Sequence, residues 1–188
     1  MAGGRKGGAG AEIGNAHHAF LELVSLERVG SVETLRQEAE RLKREGALTA
    51  DEIGQLDFEG LAAFWTSELG RRVRAQARFV QRELAFTARF SLAELAEVTG
   101  ETGETGSENE FVVVQGVADL AVVRPEEIWL VDFKTDRLRP NEAAERIKAY
   151  EPQLILYARA LARIYRRPVS EGWLYFLAAR KAGAVEVK

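Results

Sequence analysis

The chain has 188 residues, 46% of them hydrophobic and 29% charged, with no Cys and a formal net charge of −3. That length and apolar share suit a single folded domain with its own core. The missing cysteines exclude disulfides, thiol nucleophiles, Cys-held zinc and a cysteine-ligated iron–sulfur cluster. No run approaches the roughly 18 apolar residues of a membrane span, so the sequence predicts a cytoplasmic protein with no membrane partner. Any metal it binds would be held by oxygen and imidazole. The charge is uneven: residues 1–110 carry 13 Lys+Arg against 19 Asp+Glu, and residues 111–188 carry 13 against 10. An acidic front and a basic back predict a local positive surface.

Residues 1–10 hold no apolar stretch after Arg5-Lys6 and read as a flexible leader rather than a secretory signal. The remainder, 11–188, reads as one domain with a helical portion over 11–78 and a sheet with its helices over 79–188. Phe20, Leu21, Val24 and Val29 recur near the helical period. Ser31 can cap a second helix running to about Glu45, closed by Gly46. Thr49 followed by Glu52 is a capping-box signal for a third, interrupted near Gly54–Gly60 and resumed by Leu61, Phe64, Trp65 and Leu69.

After Arg78 the pattern changes to a strand over Phe79–Phe90. Ser91–Val98 fits a short helix or an extended excursion, and Gly100–Asn109 reads as a mobile connection. Two strands follow, Phe111–Val123 and Ile128–Phe133, joined at Arg124-Pro125-Glu126-Glu127. Pro140-Asn141 opens a helix, Pro152 opens or kinks another, and Gly172–Leu177 is a buried strand, with Ala184–Val187 able to pair on an edge. Helices, three strands in a meander, a helix and a strand make a mixed α/β domain.

The chemistry is concentrated in Gly116-Val117-Ala118-Asp119 and Val131-Asp132-Phe133-Lys134. Both acids sit within or at the ends of apolar strands, and neighbouring strands can bring such residues side by side. A carboxylate is costly to bury unless it is paired or coordinated. Lys134 shares a strand face with Asp132, because strand side chains alternate. Asp-x-Lys alone fits a salt bridge equally well. Two converging carboxylates with a lysine suit Mg²⁺, which takes hard oxygen ligands and leaves positions for water and phosphate.

These residues resemble the active-site core of the PD-(D/E)XK nuclease superfamily, and more closely its RecB/AddA type, the C-terminal nuclease domain of bacterial helicase–nucleases. Gly14–Glu22 is similar to that family's helical Gly-x-x-x-His-x-x-Leu-Glu motif, with the histidine on His18 and His17 a bystander. Arg82–Phe86 resembles the strand that precedes the core. Asp132–Arg137 resembles the Asp-Tyr-Lys-Thr-Asp motif with Phe133 for Tyr, Gln153–Tyr157 the Gln-x-x-x-Tyr motif, and Trp173–Leu177 the closing strand.

The resemblance implies a restriction-endonuclease-like mixed sheet core, αβββαβ, flanked by helices and preceded by an N-terminal helical segment. It implies catalysis by Asp119, Asp132 and Lys134, and Mg²⁺, for which Mn²⁺ can substitute, held by His18, Asp119, Asp132 and the backbone carbonyl of Phe133. Gln153, Tyr157 and Glu83 would position or bind DNA, with Glu83 acting behind the metal. The implied activity is hydrolysis of DNA, single-stranded and without sequence preference, in double-strand-break repair. No Gly-x-x-x-x-Gly-Lys-Thr loop is present, so the expectation is the nuclease part of a helicase–nuclease, with the motor supplied by another domain or a partner protein. The rival readings are an inactive DNA- or helicase-binding scaffold of the same fold, and a stand-alone exonuclease. The cationic runs Arg71, Arg72, Arg74, Arg78, Arg82 and Arg159, Arg163, Arg166, Arg167 read as solvated faces or as phosphate-holding groove walls.

Overall fold

The computed structural model describes residues 6–100, 110–139 and 142–187. The chain clusters into two compact units, one of Met1–Arg78, Phe133–Leu138 and Tyr175–Ala182, the other of Phe79–Asp132, Arg139–Leu174 and Gly183–Lys188.

Helices dominate the first unit: α1 (Lys6–Leu23), α2 (Val32–Arg44), α3 (Ala50–Gln55), α4 (Phe58–Thr66) and α5 (Glu68–Ala75), with a 3-10 turn at Leu26–Arg28. Their starts are written in short polar side chains. Ser31 and Thr34 form a capping box at α2, and Thr49 and Glu52 form one at α3, while Asp57 and Ser67 cap α4 and α5. Each such cap satisfies amides that the first helical turn leaves open and contributes about 1 kcal/mol. Behind them Phe64 meets Trp65, Phe133 and Tyr175 edge-on, with ring centroids 4.7, 4.7 and 4.8 Å away. The α1 helix begins at Lys6, inside the segment expected as a flexible leader, because the helical register set downstream by Ile13, Ala16 and Phe20 propagates back at little further cost.

In the second unit, β1 (Val80–Ser91), α6 (Leu92–Thr99), β2 (Phe111–Val123), β3 (Ile128–Lys134), α7 (Ala143–Tyr165), β4 (Val169–Phe176) and β5 (Lys181–Val185) follow in turn, several of the strands passing into residues of the first. The five strands form one mixed sheet in the order β1-β2-β3-β4-β5. β1 and β2 pair antiparallel, as do β2 and β3, and α7 lies in the connection from β3 to its neighbour β4. The segment that fitted either a helix or an excursion is helical, because Ser91 and Glu94 form a third capping box. Gly100 ends α6 with a left-handed φ of 71°, and the rest of the expected mobile connection lies outside the described residues, as does Pro140-Asn141. Where two helices were expected around Pro152, a single 23-residue helix runs through it. The proline denies the carbonyl of Lys148 its amide donor, and the turns on either side carry the helix across. The closing strand on the edge is Lys181–Val185, three residues earlier than the alternation at 184–187 suggested.

One face of the β1–β2 ribbon is covered. Phe86 and Gly116 pair across the strands, and the ring of Tyr157 on α7 lies 4.9 Å from that of Phe86 at 78°. A Cβ on Gly116 would come within 2.6 Å of Phe86 Cζ and 3.0 Å of Tyr157 Cε1, so only glycine fits. On the other face Phe111, Val113 and Val117 stay 49, 52 and 41% exposed.

Candidate active site

The acids stand where the sheet's regularity breaks. In the β1–β2 ladder Arg82 pairs with Leu120 and Leu84 with Ala118, but Glu83 and Asp119, which face each other between them, do not pair. Glu83 instead takes a left-handed backbone, φ 46°. Such a conformation costs a non-glycine residue about 1–2 kcal/mol and turns its side chain out of the strand's alternation. The β2–β3 ladder ends at Leu120 and Val131, and the next residue on each strand is Asp119 and Asp132. Three carboxylates on three adjacent strands thus sit at one level of the second unit, just where pairing stops.

Glu83 and Asp119, both half-buried, each offer one carboxylate oxygen, and the two lie within 4.8 Å of one another. Two hard oxygen donors at that spacing suit Mg²⁺ or Mn²⁺. His18 is half-buried on α1 of the first unit. Asp132 is outside the pair. It lies between Val131 and Phe133 on β3 and is 5% exposed. The backbone amide of Leu177 donates to the carbonyl of Lys134 at 2.9 Å, which ties down the end of β3. The ring of Phe133 is held in the aromatic cluster around Phe64.

His17, beside His18, has both ring nitrogens engaged. Nδ1 donates to the carbonyl of Ile13 at 2.8 Å, and Nε2 accepts the amide of Asp57 at 2.9 Å. That pair of bonds requires the neutral ring, and burial pushes its pKa below the ordinary histidine value. His17 therefore fastens α1 to the start of α4 and has no lone pair to give a metal.

On α7 the Gln153 Nε2 donates to the Tyr157 hydroxyl at 3.0 Å, so the two residues four apart present a joined polar edge. The cationic run on α7 is largely engaged locally. Arg159 bridges to Glu97 at 3.0 Å, and Arg163 pairs with Glu94 and lies over the Phe90 ring. Both fasten α6 down. Sequence reasoning gave Glu83 a place behind the metal, and the structure brings its carboxylate beside that of Asp119. Strand alternation carries no sign of its left-handed turn, and the only hint was a glutamate interrupting an otherwise half-apolar strand.

Among the described residues no helix is long and apolar enough to cross a membrane. The family pattern described as the PD-(D/E)XK nuclease superfamily matches residues 4–188. The chain is also similar to an ATP-dependent helicase/nuclease subunit of Carboxydothermus hydrogenoformans, 34% identical over 172 residues. The proteins of the same name from Bacillus mycoides and Bacillus cytotoxicus are 34% and 32% identical over 179 residues. In each case the match covers 92% of this chain and 14% of the relative, so the chain spans about one seventh of the proteins it matches.

Proposed function

The chain belongs to the PD-(D/E)XK nuclease superfamily, and from that premise we propose that it is a Mg²⁺-dependent deoxyribonuclease acting on single-stranded DNA without sequence preference. The observation that carries this reading is the pair of carboxylates on facing strands, Glu83 and Asp119, whose oxygens lie within 4.8 Å. Asp132 extends it, one residue past the last β2–β3 pair. In this reading His18, Asp119 and Asp132 hold the ion with the Phe133 carbonyl, and Glu83 orients the set or joins it. Mg²⁺ bound there supplies neutralising charge for the phosphate and makes water more acidic.

The chain's own groups do the rest. Lys134, two residues beyond Asp132, points its ammonium toward the attacking water, aligning it or drawing off its proton, and offsets charge that grows in the transition state. Gln153 and Tyr157 steady the strand from α7. The substrate is held by its backbone, so cutting is indifferent to sequence. The relatives are named as ATP-dependent helicase/nuclease subunits, and in our reading this chain works beside a helicase that delivers single strands in double-strand-break repair.

The test is cleavage of end-labelled single-stranded DNA with Mg²⁺ and with EDTA. Cutting should require the ion. Asp119→Asn and Asp132→Asn should lower the rate by roughly 10³-fold and Lys134→Ala by about 10²–10³-fold, the range for lost groups that act on transition-state charge, with circular dichroism unchanged. Undiminished cutting by Asp119→Asn would overturn the assignment.

A further inference from the structure

A groove of about 380 Å³ opens in the first unit, lined by Leu26, Glu27, Arg71, Arg74, Ala75 and Ala77. Its floor is apolar, from Leu26 and the two alanines. Arg71 and Arg74, three apart on α5, share a helix face. Most arginines of this unit are engaged elsewhere: Arg28 and Arg41 reach Glu38, and Arg36 lies over the Phe58 ring. The two in the groove are less fully engaged. Arg71 uses one donor on the carbonyl of Thr66 at 2.8 Å, and among the described residues Arg74 and Glu27 make no ion pair. Apolar side chains beside two guanidiniums that make no ion pair among the described residues are the recognition chemistry of a nucleotide unit: phosphate on the cations, sugar and base on the apolar lining.

We propose that this groove is a subsite for one stretch of single-stranded nucleic acid backbone, with Arg71 and Arg74 each meeting a phosphate and Leu26, Ala75 and Ala77 receiving the sugar and base. It rests on the nuclease reading for the identity of the polymer. The contacts carry no base code, so the subsite adds affinity without sequence preference.

The experiment measures binding of labelled oligo(dT) to the 188-residue chain in EDTA over a KCl series. Each phosphate contact on a single strand adds about 0.7 to the slope of log affinity against log salt. Arg71→Ala/Arg74→Ala should therefore flatten that slope by about 1.4 and weaken binding at low salt roughly tenfold. Arg71→Lys/Arg74→Lys should keep the slope, because lysine also neutralises phosphate, and it serves as the folding control. Glu27→Ala should tighten binding a few-fold by removing a repelling charge.

An unchanged slope in the alanine pair overturns the proposal. So does weaker oligo(dT) binding in Glu27→Ala, or competition by poly-glutamate that surpasses oligo(dT). Cleavage is a separate readout. A chain that cuts DNA while the slope stays unchanged loses only the subsite, whereas one that shows the expected slope and never cuts loses only the nuclease reading.

Discussion

Glu83 carries a tension between backbone and side chain. Its φ of 46° is a conformation in which glycine fits without strain, yet the residue there offers a carboxylate oxygen to the candidate metal group. A glycine in a regular strand costs about 1 kcal/mol in lost packing and greater chain entropy. At position 83 the relief of the left-handed turn offsets that cost. Glu83→Gly should therefore leave the unfolding free energy from urea titration within about 0.5 kcal/mol of the parent's while sharply reducing Mg²⁺-dependent cutting. A fall in stability of the full strand-glycine size would mean that the turn is unstrained. Gly116 is the opposite case, a position that looked like part of a catalytic motif and is required by the closeness of Phe86 and Tyr157.

At the scale of elements, α2 is held by a buried acid. Glu38 is fully buried, with Arg41 at 2.8 Å, Arg28 at 3.6 Å and the Ser25 amide donating at 3.1 Å. The hydrogen bond from Arg41, aided by that from Ser25 and the two positive charges, holds its carboxyl below the ordinary value of 4.5. The folded state thus binds its proton less readily than the unfolded chain. The stabilisation is complete above about pH 4.5 and is lost as pH falls below it toward the folded value. Glu38→Gln should destabilise by about 1–3 kcal/mol at pH 7, because Arg41 and Arg28 lose a buried carboxylate and Arg41 keeps only Glu45 at 2.7 Å, and its denaturation midpoint should fall less steeply with acid than the parent's. Equal acid sensitivity in the two would remove Glu38 from the account.

The elements most legible in the sequence are those written locally. The Ser31 and Thr49 boxes, the β2 and β3 strands and the helix after Pro140 announce themselves through caps, alternation and period. Pro152 misled because a proline's local veto on one hydrogen bond says nothing about the turns that flank it, and the glycine-rich start of α1 misled for the same kind of reason. Of the site, Asp119, Asp132 and Lys134 stood out as charges in apolar strands. The grouping of Glu83 with Asp119 depends on strand register and a left-handed turn, which are set by pairing across the sheet rather than by neighbours in sequence.

For the molecule as a whole, an ion bound by the native state alone raises stability through linkage. If Glu83 and Asp119 contribute to such a site, Mg²⁺ or Ca²⁺ at about 100 times its dissociation constant should add about 2.7 kcal/mol, seen as a higher melting temperature that Asp119→Asn abolishes. An identical shift in the variant would mean that the ions act elsewhere. The uncovered strip of Phe111, Val113 and Val117 bears on handling rather than catalysis. β1 ends the sheet beside it, so an edge strand adjoins a greasy stripe, a combination that invites strands of other molecules to stack on. Concentrated solutions of this chain should turn cloudy before dilute ones show any defect, and a lysine at 113 is the simplest way to keep them clear.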